Sequence, residues 1–197
     1  MLLAIDTSAG TSVAVVDRDR GVLAQADSAD PRGHAERIGE LLQEVLHNVD
    51  PTRLSGVVAG MGPGPFTGLR VGIAAARAFA LGIGKPLVPV ISHDALAWGI
   101  AEPVLVTTDA RRREVFWSAY DGLDAAGIPI RVEGPALASE LGISARRRIE
   151  ATSVSAGDLG LLAEALSAHG RALAPNEPVY LRSPDVTPSA GPKRVTG

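Results

Sequence analysis

The residues from Gly60 to Gly82, GMGPGPFTGLRVGIAAARAFALG, constrain this chain more than any other stretch. They begin as a Gly/Pro turn and continue as a helix with almost no polar face. Between Thr67 and Leu81 the only charges are Arg70 and Arg77, seven residues apart and so on one narrow stripe. Gly68, Gly72, Ala76 and Ala80 recur every fourth residue and form a ridge of very small side chains. Leu69, Ile73 and Ala76 form a second, apolar ridge. A glycine inside a helix costs about 1 kcal/mol relative to alanine, so Gly68 and Gly72 call for close packing by another element. A helix without a polar half is either buried in its own domain or covered by a partner.

The loop Gly62 to Gly68 also opens a helix N-terminus, where free N–H groups can receive a phosphate. It contains no lysine and no GxxxxGK[ST] pattern, so a P-loop is excluded, and a tight strand-to-helix connection explains it equally well.

The flanking segments read as a mixed α/β domain. Leu2–Ile5, Ser12–Asp17 and Val22–Ala26 alternate with turns and predict an antiparallel meander. Its first turn holds Asp6, Thr7 and Ser8. A helix follows from His34, with Ile38, Leu41, Leu42, Val45, Leu46 and Val49 at helical spacing. Gly56–Gly60 and Leu87–Ile91 are buried strands on either side of the central helix, so they imply a right-handed parallel crossover. The second half starts in the same way, with strands at Pro103–Asp109, Glu114–Tyr120 and Ile130–Glu133. Ile5-Asp6 with Val16-Asp17, set beside Thr108-Asp109 with Tyr120-Asp121, points to an internal duplication. A short helix over Asp158–Leu166, capped by Asp158, and an extended Pro178–Arg182 follow. The Pro- and Ser-rich residues after Ser183 predict a frayed tail.

Composition narrows the function. The chain has 197 residues and no cysteine, which removes thiolate chemistry and cysteine zinc sites. A net charge of −3 argues against a chain that grips nucleic acid alone, and the runs Arg111–Arg113 and Arg146–Arg148 read as solvated faces. No basic leader or membrane-length apolar run is seen, so the expectation is a cytoplasmic protein. The four histidines, His34, His47, His93 and His169, form no HxxxH or HExxH pair, and GxSxG is absent. Asp6 and Asp109 are acids at strand ends, positions suited to a metal or phosphate but as often used to fix a turn.

Four blocks carry a likeness: Ala4–Ser8, Gly62–Gly72, Thr108–Val115 and Tyr180–Arg182. In this order they resemble the TsaB (YeaZ) family of tRNA threonylcarbamoyladenosine biosynthesis proteins. The resemblance implies an actin-like (ASKHA, ribonuclease H-like) α/β fold in two lobes. Residues 1–100 would hold a mixed five-stranded sheet with helices, and residues 101–197 a second lobe shortened between Leu137 and Asp158. It further implies a degenerate relative of the transferase TsaD. That enzyme's HxxxH metal ligands fall here on Ser92 and Leu96, so no metal and no catalytic residue is expected.

The implied role is a non-catalytic subunit that binds TsaD, with the ATPase TsaE completing the complex and tRNA met only through it. The central helix would contact TsaD, or a second copy of the chain when TsaD is absent, through Leu69, Arg70, Ile73, Ala76, Arg77 and Ala80. Asp6, Thr7, Ser8, Gly62 and Gly64 could line a weak or partner-dependent ATP or ADP cleft. The competing reading is an enzyme, a glycopeptidase-like hydrolase or weak ATPase of the same superfamily.

Overall fold

The computed structural model describes residues 1–28, 34–139 and 147–182. The first sheet is built from β1 (Leu2–Asp6), β2 (Thr11–Asp17), β3 (Gly21–Ser28), β4 (Gly56–Gly60) and β5 (Leu87–Val90), in the order β3-β2-β1-β4-β5. The meander β1–β2–β3 is antiparallel, and β4 and β5 add in parallel. Helices α1 (His34–Leu46) and α2 (Phe66–Gly82) fill the connections to β4 and β5. Because side chains alternate along a strand, β1 serves both faces of the sheet. Leu3 and Ile5 join Val13, Val15, Val57 and Ala59 under α1 and α2. Leu2 and Ala4 join Ala14, Val16 and Val58 on the opposite face. Burial on both faces is why these strands read as nearly continuous apolar runs.

The second sheet contains β6 (Pro103–Asp109), β7 (Glu114–Leu123), β8 (Pro129–Ser139) and β9 (Arg148–Ala151), in the order β8-β7-β6-β9. Its pairings repeat those of the first, antiparallel for β6–β7 and β7–β8 and parallel for β6–β9. The duplication suggested by the paired Ile-Asp and Val-Asp blocks is therefore visible as topology. β9 supplies a strand within the stretch that read as shortened.

Helix α4 (Ala156–Ala168) packs on the first sheet and on the short α3 (Ser92–Leu96), which reaches β6 and β8 of the second. Although α4 follows the second sheet in sequence, Leu159, Leu162 and Ala163 pack against Leu2, Ala4, Ala14 and Val16 of the first. Gly160 permits this approach, since a Cβ there would lie 2.7 Å from Val16 Cγ2. The expected cap of this helix needs correction. Ser155, not Asp158, is the N-cap, and its Oγ accepts the Asp158 N–H at 3.1 Å. Asp158 stands at the third helical position, whose free N–H a capping serine satisfies. The tail expected after Ser183, like Arg146, lies outside the described residues.

Candidate functional site

The loops after β1 and β4 meet in a buried polar hub. One oxygen of the Asp6 carboxylate accepts the Ser8 N–H at 2.8 Å and the Ser8 hydroxyl at 2.6 Å, and the other accepts the Ser92 hydroxyl at 2.5 Å. Ser92 Oγ in turn accepts the Gly62 N–H at 3.0 Å. Burial pushes the Asp6 carboxyl above its usual range, against the pull of the Ser8 and Ser92 hydrogen bonds. The hub tolerates no added atoms. A Cβ on Gly60 would lie 1.8 Å from Asp6 Oδ2, and one on Gly64 would lie 2.6 Å from the Ser8 carbonyl. Gly62 has a φ of 96°, which leaves this turn to glycine.

Thr7 explains the glycines of the helix. Its Oγ1 donates to the Gly68 carbonyl at 2.7 Å and accepts from the Gly72 N–H at 3.1 Å. The hydroxyl thus bridges a carbonyl and an N–H four residues apart, the spacing of an ordinary helical hydrogen bond. A Cβ on Gly72 would lie 2.2 Å from that oxygen. The expected nucleotide residues Asp6, Thr7, Ser8, Gly62 and Gly64 are therefore brought together. All five are buried, with Asp6, Thr7 and Ser8 bonded inside the protein.

Next to the hub, α3 reaches the second sheet. His93 is fully buried, with Nδ1 2.9 Å from Ser118 Oγ and Nε2 3.0 Å from Thr108 Oγ1. Burial, helped by the Arg131 charge, lowers its pKa to about 3, so it is a neutral structural imidazole near pH 7. Asp94 Oδ1 accepts the Tyr120 hydroxyl at 2.7 Å and Arg131 Nε at 3.0 Å. Among the described residues no cluster of His, Asp and Glu could hold a metal ion.

The outward face of α2 differs from the one expected. Leu69 and Ala76 are 0% exposed and Ile73 and Ala80 4%. These four belong to the core with Leu3, Ile5, Val57 and Ala59, so as partner contacts they are corrected. The small-residue ridge receives Thr7 and the first sheet instead. Arg70 and Arg77 do face outward, together with Thr67, Ala74, Ala78 and Leu81, while Val71 is half-buried at the edge of this face, packed against the core. Leu81 is 84% exposed, and Phe66, Thr67, Arg70, Val71 and Ala74 line a depression of about 360 Å³. The periodic signal for this stripe was present in the sequence. It was hidden because every face of the helix is made of small or apolar residues, which leaves its rotation undetermined.

Residues near the end of the described chain complete the surface. The Phe66 and Tyr180 ring centroids are 4.7 Å apart, and the Arg70 guanidinium lies 5.1 Å from the Phe66 ring. Arg77 donates to the Asn176 carbonyl at 2.8 Å and to its Oδ1 at 2.9 Å. Arg182 donates to the Ala110 carbonyl at 2.6 Å and pairs with Glu114. Tyr180 and Arg182, noted in sequence only for their likeness, thus tie the glycine-loop helix to the β6–β7 hairpin.

Two sheets of repeated topology, the first covered by helices on both faces, define an actin-like α/β protein. Known structures agree: YeaZ from Pseudomonas aeruginosa superposes with a TM-score of 0.74 at 26% identity, covering 90% of this chain and 99% of that one. A family model described as TsaD, tRNA N6-adenosine threonylcarbamoyltransferase, matches residues 21–150. An uncharacterized protein of Mycobacterium tuberculosis is 38% identical over 96% of this chain and 95% of its own length. The tRNA threonylcarbamoyladenosine biosynthesis protein TsaB of Escherichia coli is 35% identical over 60% of this chain and 54% of its own length. The match thus spans about half the length of that TsaB relative. The chain belongs to the TsaD-type family, on its TsaB (YeaZ) branch. No described helix is long and apolar enough to cross a membrane.

Proposed function

We propose that this chain is a non-catalytic subunit of the machinery that makes N6-threonylcarbamoyladenosine at tRNA position 37. It binds the transferase TsaD and holds it in an active state, with TsaE joining the pair and tRNA reached through the complex. One observation carries this reading: α2 presents Ala74, Ala78 and Leu81 outward with half-buried Val71 at their edge, beside the depression at Phe66 and Arg70. An apolar stripe of this kind favours burial against a partner, and about 800 Å² per side is ordinary for such a contact. Without TsaD, a second copy of the chain would take the same face. Arg70 would pair with a partner carboxylate at its edge.

A catalytic or nucleotide-binding role is less well supported by the site. The Asp6, Thr7, Ser8 and Ser92 side chains hydrogen-bond inside the hub, and His93 is held neutral between Ser118 and Thr108. The positions that resemble transferase metal ligands hold Ser92 and Leu96. Depleting the chain in its own host and measuring nucleosides in total tRNA tests the role. The expected result is loss of most threonylcarbamoyladenosine, restored by the wild-type chain. Unchanged nucleoside content after depletion would refute it.

A further inference from the structure

The segment from Ala174 to Arg182 touches four separate parts of the fold within nine residues. The Ala174 N–H donates to the Pro89 carbonyl at 3.2 Å, at β5, and the Val179 N–H donates to the Met61 carbonyl at 2.8 Å, at the end of β4. Asn176 holds Arg77 and the Tyr180 ring packs at a tilt against Phe66, both partners being in α2. Arg182 then crosses to the second sheet and holds Ala110 and Glu114, the residues that flank the β6–β7 turn. The turn between them is unusual. Arg111, Arg112 and Arg113 are exposed and have φ values of 61°, 56° and 62°, a left-handed run that L residues adopt only under strain. Its base is fixed by the Arg111 N–H on Asp109 Oδ1 at 2.8 Å and by the Ala110 N–H on the Glu114 carbonyl at 3.0 Å.

We infer that residues 174–182 act as a strap coupling the outward face of α2 to the arginine-bearing hairpin, so that a partner docked on α2 also fixes the hairpin. This rests on the docking reading for its partner but not for the coupling itself. The physical basis is that one short segment carries both attachments. Loosening either end frees the segment's backbone bonds to Met61 and Pro89, and with them the other end. An ordered α2 end lowers the cost of ordering the hairpin, and the effect is reciprocal.

Spatial adjacency alone does not establish coupling, so the test reads one end while cutting the other. Amide hydrogen exchange is measured on the full chain, wild type against Arg77→Ala, with Leu81→Asp as a control on the same helix but away from the strap. Arg77→Ala is expected to speed exchange of the Ala110 and Glu114 amides about tenfold, while Leu81→Asp leaves them unchanged. Glu114→Gln is expected to do the same to the Val179 amide. Hairpin exchange unchanged by Arg77→Ala would overturn the coupling. In the complex with TsaD, slowed exchange on α2 should be accompanied by slowed exchange at residues 109–114, and Arg182→Ala should abolish only the second. Protection of α2 alone in the wild type would overturn the strap, whereas no protection of α2 would overturn the docking reading and leave the strap to the isolated-chain result.

Discussion

Aspartate in place of Ala76 is expected to unfold the chain rather than to disturb a surface. Ala76 is 0% exposed and belongs to the core cluster of Leu3, Ile5, Val57 and Leu69. An added carboxyl there meets no donor, and burying an unsatisfied polar group while overpacking the core costs about 4 kcal/mol or more. Against a total stability of about 5–15 kcal/mol, that removes much or all of the margin. Two residues earlier, Ala74 points to solvent, so Ala74→Asp should change stability by no more than about 0.5 kcal/mol. Urea unfolding of the two variants checks the assignment. Equal losses would mean that α2 does not turn Ala76 to the core and Ala74 to solvent.

The same pair of residues shows where the sequence was informative. The meander, the crossover and the repeat in the second half were legible because strand alternation and Asp-terminated strand ends leave a local signature. Which side of α2 faces out was not, because Gly68, Gly72, Ala76 and Ala80 are small and Leu69 and Ile73 apolar, as are Val71, Ala74, Ala78 and Leu81 across the helix. Small residues signal that something comes close without saying whether it belongs to the same chain. Here it is Thr7, sixty-five positions away from Gly72, whose N–H its hydroxyl accepts. The hub was half legible: Asp6 and the glycine loop stand out, but Ser92, which joins them, has no local signature. The strap was the least legible part, because Pro178–Arg182 forms neither sheet nor helix and gains its meaning only from contacts far away in sequence.

Acid should weaken the fold through His93. Above the ordinary histidine value of 6.5 the ring is neutral in both folded and unfolded chains, and it contributes no pH dependence. As pH falls below 6.5, the unfolded chain binds a proton that the folded chain refuses until about pH 3. Stability therefore drops by about 1.4 kcal/mol per pH unit, or about 2.7 kcal/mol between about pH 7.5 and pH 4.5. Asp6 and Asp94 act with the opposite sign, because burial raises both and the folded chain takes up their protons first. The comparison is therefore made against His93→Gln, measured by urea unfolding at both pH values. The variant should lose the histidine share of the slope. Identical slopes in wild type and variant would show that His93 is not held neutral in the fold.

On the function proposed above, a partner sits on the outward stripe of α2. Calorimetric titration of TsaD into the wild-type chain and into Leu81→Asp tests it directly, since Leu81 is 84% exposed and plays no part in the core. A charge forced into an apolar contact should weaken binding at least about a hundredfold, a cost of about 2.7 kcal/mol, while the folded chain stays as stable as before. Binding of equal strength in the two proteins would show that no partner sits on this stripe.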